Sequence, residues 1–351
     1  MNDISLILKK HAAKYPLMQP DDAVKLVFQS EFGGGHIIED EAKSLEFLEK
    51  ELEEIKEASE APFEDIGCGI LRFNLKSGVA LAVSPNIINK VFVMSSDEIK
   101  GDMDSFSNKL SLLEFLAGKG IFGFSKEEVS VYVQEYKKKG CPPVSHSKAY
   151  KEAYSPAYRV LKSEYAFVLH LVMRIEALLK QRKRVIIAID GKAASGKSTM
   201  AKKLEALFDC SLFHMDDFFL PLDMRTRERM EAPGGNIHYE RFKSEVIDGI
   251  KSGKDFSYGI FSCKNGNTIK LNTKPSRLYI IEGAYSMHPY FENPYNLRIF
   301  MSVGEDKQKS RIIERDGEEM YKIFEDTWIP MEEKYFKQFN IKHNSDIMVE
   351  L

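Results

Sequence analysis

The sequence has no long apolar run, no closely spaced cysteine pair and almost no net charge. The longest apolar stretch, residues 165–173, carries His170 and is far shorter than the about 20 residues of a membrane span. A formal charge of −3 gives no overall field that would recruit nucleic acid or an anionic membrane. The 4 cysteines include no C-x-x-C motif, and we expect free thiols in a reducing cytoplasm. The first residues lack the apolar core and cleavage site of a signal peptide, which argues against export by that route.

The length of the chain predicts two domains, because 351 residues exceed one ordinary core. Residues 1–160 are predicted to form a mainly helical α+β domain, to which the sequence assigns no role. Short apolar runs at 69–75 and 78–83 predict one or two strands, and the Gly-, Pro- and Ser-containing residues 140–157 predict a loop. Residues 161–184 are predicted to be a linking helix. Helical periodicity in the first domain occurs at 3–14, 21–31, 41–58, 103–118 and 126–138.

Residues 185–351 alternate strands with helices. Runs that are apolar on both faces are typical of a parallel sheet covered by helices. We therefore predict a second domain of the α/β class with a five-stranded parallel sheet. Asn265 and Gly266, between two alternating runs, predict a hairpin that leaves this sheet. The predicted strands are 185–190, 210–216, 278–283, 297–303 and 346–350.

A glycine-rich motif lies between the first of these strands and a predicted helix. Residues 191–198, GKAASGKS, match G-x-x-x-x-G-K-[ST], the phosphate-binding P-loop pattern. Gly191 and Gly196 let main-chain N–H groups approach phosphates, Lys197 would reach the β- and γ-phosphates, and Ser198 would ligate Mg²⁺. ATP and Mg²⁺ are the predicted cofactors, and the alternative is a chance glycine-rich turn. The predicted nucleotide-binding residues are Gly191, Ala194, Ser195, Gly196, Lys197, Ser198 and Thr199.

Two adjacent carboxylates follow the second predicted strand of this domain. Asp216 and Asp217 stand at the carboxyl end of that strand, where open α/β sheets bind their ligands. Asp216 is a candidate base for an attacking hydroxyl and a candidate Mg²⁺ ligand. The alternative, which we favour for Asp217, is a carboxylate that caps the following segment.

At these residues the sequence resembles the uridine kinase and phosphoribulokinase group of P-loop kinases. Residues 210–221, CSLFHMDDFFLP, resemble the segment of uridine kinases whose first aspartate serves as base. Residues 236–239 resemble the N-F-D-H element, 279–283 the strand that ends in Glu-Gly, and 298–316 the next strand and the arginine-bearing lid helix. The resemblance covers the second predicted domain. With its additional first domain, the chain is similar to a group of bacterial uridine kinase-like proteins.

The resemblance implies an enzyme that transfers the γ-phosphoryl group of ATP to a hydroxyl of a nucleoside or similar metabolite. By position, Glu282 would be an acidic Mg²⁺ ligand. Arg311 and Arg315, on one helix face, would stabilise the transferring phosphoryl group. The alternatives are a strand-end carboxylate without a metal and two surface arginines. The implied catalytic residues are Asp216, Lys197, Arg311 and Arg315, and the implied metal ligands are Ser198, Asp216 and Glu282.

The acceptor is less well defined by the sequence. His238 stands where uridine kinases place an aspartate that holds ribose hydroxyls, and a neutral imidazole accepts fewer hydrogen bonds than a carboxylate. Arg225, Arg227 and Arg229 offer charges for an acidic or phosphorylated acceptor, although a solvated helix turn explains them equally well. With Tyr239, His238, Arg225 and Arg227 are the candidate acceptor contacts. The acceptor's identity, the preference for ATP over GTP and self-association of the chain stay open.

Two polar clusters stand out in the first domain. Glycines at 33–35 precede His36, and His146 precedes the tyrosine-rich residues 150–158. Both histidines are candidate acid–base groups of a ligand pocket. The alternative, which we favour, is a helix C-cap at the glycines and tyrosines that pack the domain junction. Two further functions stay open: an ATP-binding module that regulates the first domain, and a first domain that is itself an enzyme acting on the same metabolite.

Overall fold

A computed structural model describes residues 2–262 and 266–350 of the chain. The chain divides into two compact units, 1–174 and 175–351. Cys263 and the Asn265 position of the predicted hairpin turn lie outside the described residues. Among the helices that are described, none is both long and apolar enough to pass through a bilayer.

The first unit combines helices with a small antiparallel sheet. Strand β1 (Phe63–Gly67) pairs with β2 (Ile70–Asn74), which also pairs with β3 (Tyr158–Lys162). The helices that begin in this unit are α1 (Asn2–Lys14), α2 (Pro20–Phe32), α3 (Glu41–Glu53), α4 (Gly78–Ala82), α5 (Pro85–Glu98), α6 (Met103–Ala117), α7 (Lys126–Lys138), α8 (Lys148–Tyr154) and α9 (Tyr165–Gln181).

Apolar residues at helical spacing form the core of the first unit. Leu8 of α1, Val27 of α2 and Leu110 of α6 are completely buried in one cluster, together with residues of α7. The sequence pattern indicates these four helices at nearly their observed bounds. It does not predict β1, β3 or α5, and α3 ends at Glu53 rather than at residue 58.

Two short helices replace conformations that the sequence predicts otherwise. Most of residues 78–83, predicted as a strand, form helix α4 (Gly78–Ala82), which begins where Ser77 Oγ accepts a hydrogen bond from the amide of Ala80. Residues 140–157, predicted as a loop, contain helix α8, which Ser147 caps in the same way. The serine caps are local signals, and they favour a helix where apolar spacing is too short to decide.

The second unit is built on a parallel sheet. Its strands are β4 (Val185–Gly191), β5 (Ser211–His214), β8 (Leu278–Glu282), β9 (Leu297–Ser302) and β10 (Ile347–Glu350). Their order is β10-β9-β4-β8-β5, and every neighbouring pair is parallel. The predicted five-stranded parallel sheet is therefore confirmed. Strands β4 and β8 are buried along their whole length, and their carboxyl ends meet at one edge of the sheet.

Helices and a separate hairpin complete the second unit. Strand β6 (Phe256–Phe261) pairs antiparallel with β7 (Thr268–Thr273), as predicted. A 3₁₀ turn, Met215–Phe218, follows β5. The helices are α10 (Lys197–Leu207), α11 (Arg227–Glu231), α12 (Tyr239–Phe242), α13 (Asp248–Ser252), α14 (Glu305–Asp316), α15 (Glu318–Ile323) and α16 (Ile329–Gln338).

Candidate functional site

The glycine-rich motif forms a tight loop between β4 and α10. Gly191, Ala194 and Gly196 have positive φ angles of 141°, 57° and 91°. A Cβ at Gly191 would lie 1.9 Å from the main-chain oxygen of Met301 on β9, so only glycine fits there. The loop leads directly into the N-terminus of α10, where N–H groups without intrahelical partners favour an anion.

The lysine of the motif lies across this loop. Lys197 is 9% exposed, and its Nζ donates to the main-chain oxygens of Gly191 at 2.9 Å and Lys192 at 2.7 Å. Ser195 is completely buried, and its Oγ has no hydrogen-bond partner within the described residues. Thr199 is exposed in the first turn of α10. The loop thus brings a buried positive charge to the place where a phosphate chain would bind.

A hydroxyl, a carboxylate and an imidazole meet beside the loop. Ser198 Oγ lies 3.2 Å from each carboxylate oxygen of Glu282, and His214 Nδ1 lies 2.5 Å from Glu282 Oε1. Glu282 is 4% exposed at the end of β8. The hydrogen bond to this carboxylate raises the pKa of His214 above its ordinary value. His214 is a member of the site that the sequence analysis did not single out.

Asp216 follows β5 at the same edge of the sheet. Its side chain reaches solvent, yet the protein packed around it raises its pKa above the ordinary value, and the charge of Glu282 adds to this effect. Lys197, His214 and Arg315 act in the opposite direction. A raised pKa brings a carboxylate closer to the range in which it works as a base at neutral pH.

The residues beside the loop fit Mg²⁺ in one coordination mode. Within residues 2–262 and 266–350 no three or more His, Cys, Asp and Glu side chains are grouped to hold a metal ion. Ser198 and Glu282 nevertheless place hydroxyl and carboxylate oxygens side by side. In phosphoryl-transfer sites Mg²⁺ uses few protein ligands and completes its shell with phosphate oxygens and water. The hydroxyl of Ser198 and the carboxylate of Glu282 therefore fit an ion whose other ligands come from phosphate and water.

Helix α14 places one of the two predicted lid arginines on the loop. Arg311 Nη1 donates to the main-chain oxygen of Ala194 at 3.0 Å. Arg315, one turn further, is 56% exposed and pairs with Asp316 at 2.7 Å. The structure therefore brings Arg311 to the glycine-rich loop, while the guanidinium of Arg315 lies at the surface and affects Asp216 through its charge.

Two buried acids near the loop have no counterpart in the sequence analysis. Asp190 is completely buried and accepts hydrogen bonds from Tyr335 Oη at 2.8 Å and the amide of Met287 at 2.9 Å. Glu332 of α16 accepts a hydrogen bond from the amide of Ala193 at 2.8 Å. Burial raises the pKa of Asp190 to about 6 and that of Glu332 to about 7. Asp190 precedes the motif and could have been noticed, whereas no spacing connects residue 332 with the loop.

The candidate acceptor residues do not form one group. His238 caps α12 and lies 3.3 Å from Glu240. The ring of Tyr239 stacks on His288, with centroids 4.6 Å apart. The guanidinium carbon of Arg229 lies over the same ring, 3.7 Å from its centroid. Arg227 is 91% exposed. The phenol of Tyr239 is thus held in an aromatic cluster, His238 is held at the start of α12, and Arg227 extends into solvent.

The other two members of the arginine group also have protein partners. Arg225 Nε donates to the main-chain oxygen of Leu220 at 2.8 Å. Arg229 donates to both carboxylate oxygens of Glu240, at 2.7 and 2.9 Å. Arg227 pairs with Glu231 at 2.7 Å. Neighbouring carboxylates therefore pair with the guanidinium groups of Arg227 and Arg229.

The two candidate acid–base histidines of the first unit have different environments. His36 is exposed and packs its ring edge-on against Phe28, and Gly33 ends helix α2 with a φ of 67°. His146 Nδ1 lies 2.8 Å from Asp22, and its Nε2 lies 2.6 Å from Tyr158 Oη. Burial lowers the pKa of His146 to about 4, so the ring is neutral at pH 7.

Comparison with known proteins gives distant similarities. No protein-family model and no curated protein matches the sequence. Among solved structures, a possible uridine kinase from Bacillus stearothermophilus is 18% identical, with 51% of this chain and 99% of that chain covered and a TM-score of 0.39. A protein from Thermus thermophilus is 15% identical over 48% and 90% of the two chains, with a TM-score of 0.31. An uncharacterized protein from Eubacterium ventriosum is 17% identical over 48% and 89%, with a TM-score of 0.30. These values are too low to assign a family.

Proposed function

We propose that residues 185–351 form a kinase domain that binds ATP and Mg²⁺ and transfers the γ-phosphoryl group to a hydroxyl of a nucleoside or similar small metabolite. The proposal is carried by one observation: the glycine-rich loop, the Ser198–Glu282 pair and Asp216 meet at the carboxyl edge of a parallel sheet. Each feature alone has other uses. Together they supply phosphate binding, metal ligands and a base, which are the parts that phosphoryl transfer requires.

Each residue has a defined task in this proposal. Asp216 accepts the proton of the acceptor hydroxyl as its oxygen attacks the γ-phosphorus. Lys197 and the N–H groups at the start of α10 bind the phosphates, and Arg311 adds charge as the phosphoryl group transfers. Ser198 and Glu282 would hold Mg²⁺, which neutralises charge on the β- and γ-phosphates when bound.

The surroundings of the candidate acceptor contacts favour a neutral acceptor over a phosphorylated one. The guanidinium of Arg229 is held by both oxygens of Glu240, and Arg227 is paired with Glu231. Each of these two arginines already has a carboxylate partner, so neither needs an anionic acceptor to balance its charge. The imidazole of His238 and the phenol of Tyr239 offer hydrogen bonds and a ring surface suited to a hydroxyl-bearing metabolite.

A label-transfer screen tests the proposed function. The full chain is incubated with Mg²⁺, ATP labelled in the γ-phosphate and a panel of nucleosides, sugars and phosphorylated metabolites. We expect transfer to one neutral acceptor, and a loss of at least about 10²-fold in the Asp216→Asn variant because the base is removed. Asp223→Asn is the matched control, since Asp223 is an exposed carboxylate of the same segment.

Two results would count against the proposal. Transfer that survives Asp216→Asn at the wild-type rate refutes the base assignment. Tight ATP binding with slow hydrolysis that no acceptor stimulates would instead indicate a regulatory nucleotide-binding module.

A further inference from the structure

The outer end of the phosphate-binding loop is held by two side chains that the proposed reaction does not use. The amide of Ala193 donates to Glu332 Oε2 at 2.8 Å, and Gln308 Nε2 donates to the main-chain oxygen of Ala193 at 3.0 Å. Glu332 is 7% exposed and Gln308 is 3% exposed. Both polar groups of one loop residue are thus bound by buried side chains of α16 and α14. We call these two hydrogen bonds the Ala193 clasp.

Glu332 is the titratable member of the clasp. Burial raises its pKa to about 7, the negative charges of Asp190 and Asp216 act in the same direction, and Lys197 and the amide of Ala193 oppose them. The neighbouring acid Glu333 lies outside the clasp and pairs with Lys192 at 3.0 Å. Lys197 of α10, Asp190 of β4, Asp216 after β5 and Tyr285 after β8 interact electrostatically with Glu332. Of the neighbouring polar side chains, Gln308 bonds Ala193, Arg311 bonds Ala194 and Tyr335 bonds Asp190.

A bound triphosphate would change the charge balance around Glu332. The positive charge of Lys197 favours the carboxylate form of Glu332. The β- and γ-phosphates of a nucleotide bind the lysine of a P-loop and bring further negative charge beside it. A buried carboxylate next to these phosphates is then disfavoured, and taking up a proton removes the repulsion. A neutral carboxyl still offers an oxygen to the amide of Ala193, so the clasp persists.

Resting on the proposed function, we propose that Glu332 is a positioning residue of the phosphate-binding loop that couples nucleotide binding to the uptake of one proton. Above pH 7 Glu332 is mainly a carboxylate in the free protein and a neutral carboxyl in the nucleotide-bound protein. The proton comes from solvent, and no covalent bond to the nucleotide is involved. Binding and protonation favour each other, because linkage between two ligands is reciprocal.

The sign of the pH dependence follows from this coupling. Nucleotide binding raises the pKa of Glu332 above its value of about 7 in the free protein. Between the two pKa values Glu332 is ionised in the free protein and neutral in the bound protein. The affinity for the nucleotide therefore falls by up to about tenfold for each pH unit of increase. Below pH 6 both states are protonated and this dependence disappears. Glu332→Gln keeps an oxygen for Ala193 but cannot titrate, which removes the dependence.

Calorimetry on the full chain tests the coupling. A non-hydrolysable ATP analogue with Mg²⁺ is titrated at pH 7.5 in three buffers of different ionisation enthalpy, which gives the number of protons taken up. We expect wild-type protein to take up about 0.5 to 0.75 proton more than Glu332→Gln, since free Glu332 is already partly protonated at this pH and the protons of the nucleotide itself cancel in the comparison. Glu333→Gln is the matched control and should behave as wild type.

The outcomes separate the inference from the proposed function. Equal proton uptake by wild type and Glu332→Gln overturns the coupling while leaving nucleotide binding intact. No binding by wild type at all overturns the proposed function, and the coupling with it.

A second measurement covers a Glu332→Gln variant that fails to fold. In wild-type protein the ¹H–¹⁵N signal of the Ala193 amide should titrate with a midpoint near pH 7, because its acceptor changes charge. The midpoint should move upward when the nucleotide analogue is added. An Ala193 signal that stays constant from pH 5.5 to 8.5 overturns the coupling.

Discussion

Gly191 stands where the main chain of a neighbouring strand leaves no room for a side chain. Its φ of 141° is open to glycine alone, and the oxygen of Met301 lies 1.9 Å from the position of a Cβ. The two constraints are independent, because one belongs to the backbone angle and the other to the close approach of β9. They explain why the motif needs glycine here even before any phosphate binds.

Gly191→Ala should therefore destabilise the second unit. We expect a loss of about 3 kcal/mol or more in the free energy of unfolding, since both strain and a backbone clash must be relieved. Gly304→Ala is the matched control, because Gly304 has a φ of −63° and nothing within 4 Å of its Cβ position. Urea unfolding followed by the fluorescence of Trp328 measures both variants. A Gly191→Ala variant as stable as the control would show that the loop moves freely away from β9.

Helix α14, which corresponds to the arginine-bearing lid helix of the resemblance, contacts the glycine-rich loop directly. Gln308 and Arg311 are three residues apart on one face, and they bond the oxygens of Ala193 and Ala194. Arg315 continues this face but pairs with Asp316 at the surface. The helix thus contacts the loop through its middle turn, and the two arginines that the sequence treats as equivalent have different positions.

Arg311→Ala should lower the rate of phosphoryl transfer more than Arg315→Ala. If Arg311 stabilises charge in the transition state, kcat should fall by at least about 10²-fold while KM for ATP changes less. Lys307→Ala removes an exposed charge from the same helix and should leave both constants near wild type. Steady-state kinetics with the acceptor from the label-transfer screen provide the measurement. A normal kcat in Arg311→Ala would assign this arginine a structural task only.

Both units of the chain contain buried titratable groups whose pKa values are shifted, but in different combinations. In the first unit burial lowers the pKa of both His11 and His146 to about 4. In the second unit burial raises the pKa of Asp190 to about 6 and of Glu332 to about 7, although His288 is lowered to about 4. A lowered histidine contributes stability above pH 6.5 that is lost as the pH falls toward 4. A raised carboxyl contributes stability at low pH that is lost as the pH rises through its folded pKa.

Acidification from pH 7.5 to 5 should therefore open the first unit before the second. Protonation of His11 and of His146 each lowers the free energy of unfolding of the first unit by about 2 kcal/mol over this range. In the second unit the destabilisation from His288 is opposed by the stabilisation from Asp190 and Glu332. Hydrogen exchange, corrected for the intrinsic pH dependence of amides, reports each unit separately. The variant His146→Gln should show a smaller loss of protection around β3 and α8. Equal loss in both units, or a first unit that gains protection, would contradict the assignment of these groups.

Much of the second unit could be predicted because its signals are local. The motif from Gly191 to Ser198 occupies consecutive residues, and the apolar strands are long enough for their pattern to be read directly. In the first unit, α4 and α8 are too short for periodicity, and their caps at Ser77 and Ser147 were the better signal. The roles of Asp216, Glu282, Arg311 and Arg315 remain predictions that the proposed experiments test.

The sequence by itself determined the order along the chain of the strands in the parallel sheet of the second unit, the glycine-rich motif and the absence of a large net charge. It did so because these properties depend on neighbouring residues or on composition. The tertiary structure alone decided that Glu332 holds Ala193, 139 residues away, and that Asp22 holds His146, 124 residues away. Such contacts depend on how elements pack, and packing also decides which charges lose their water and therefore which pKa values shift.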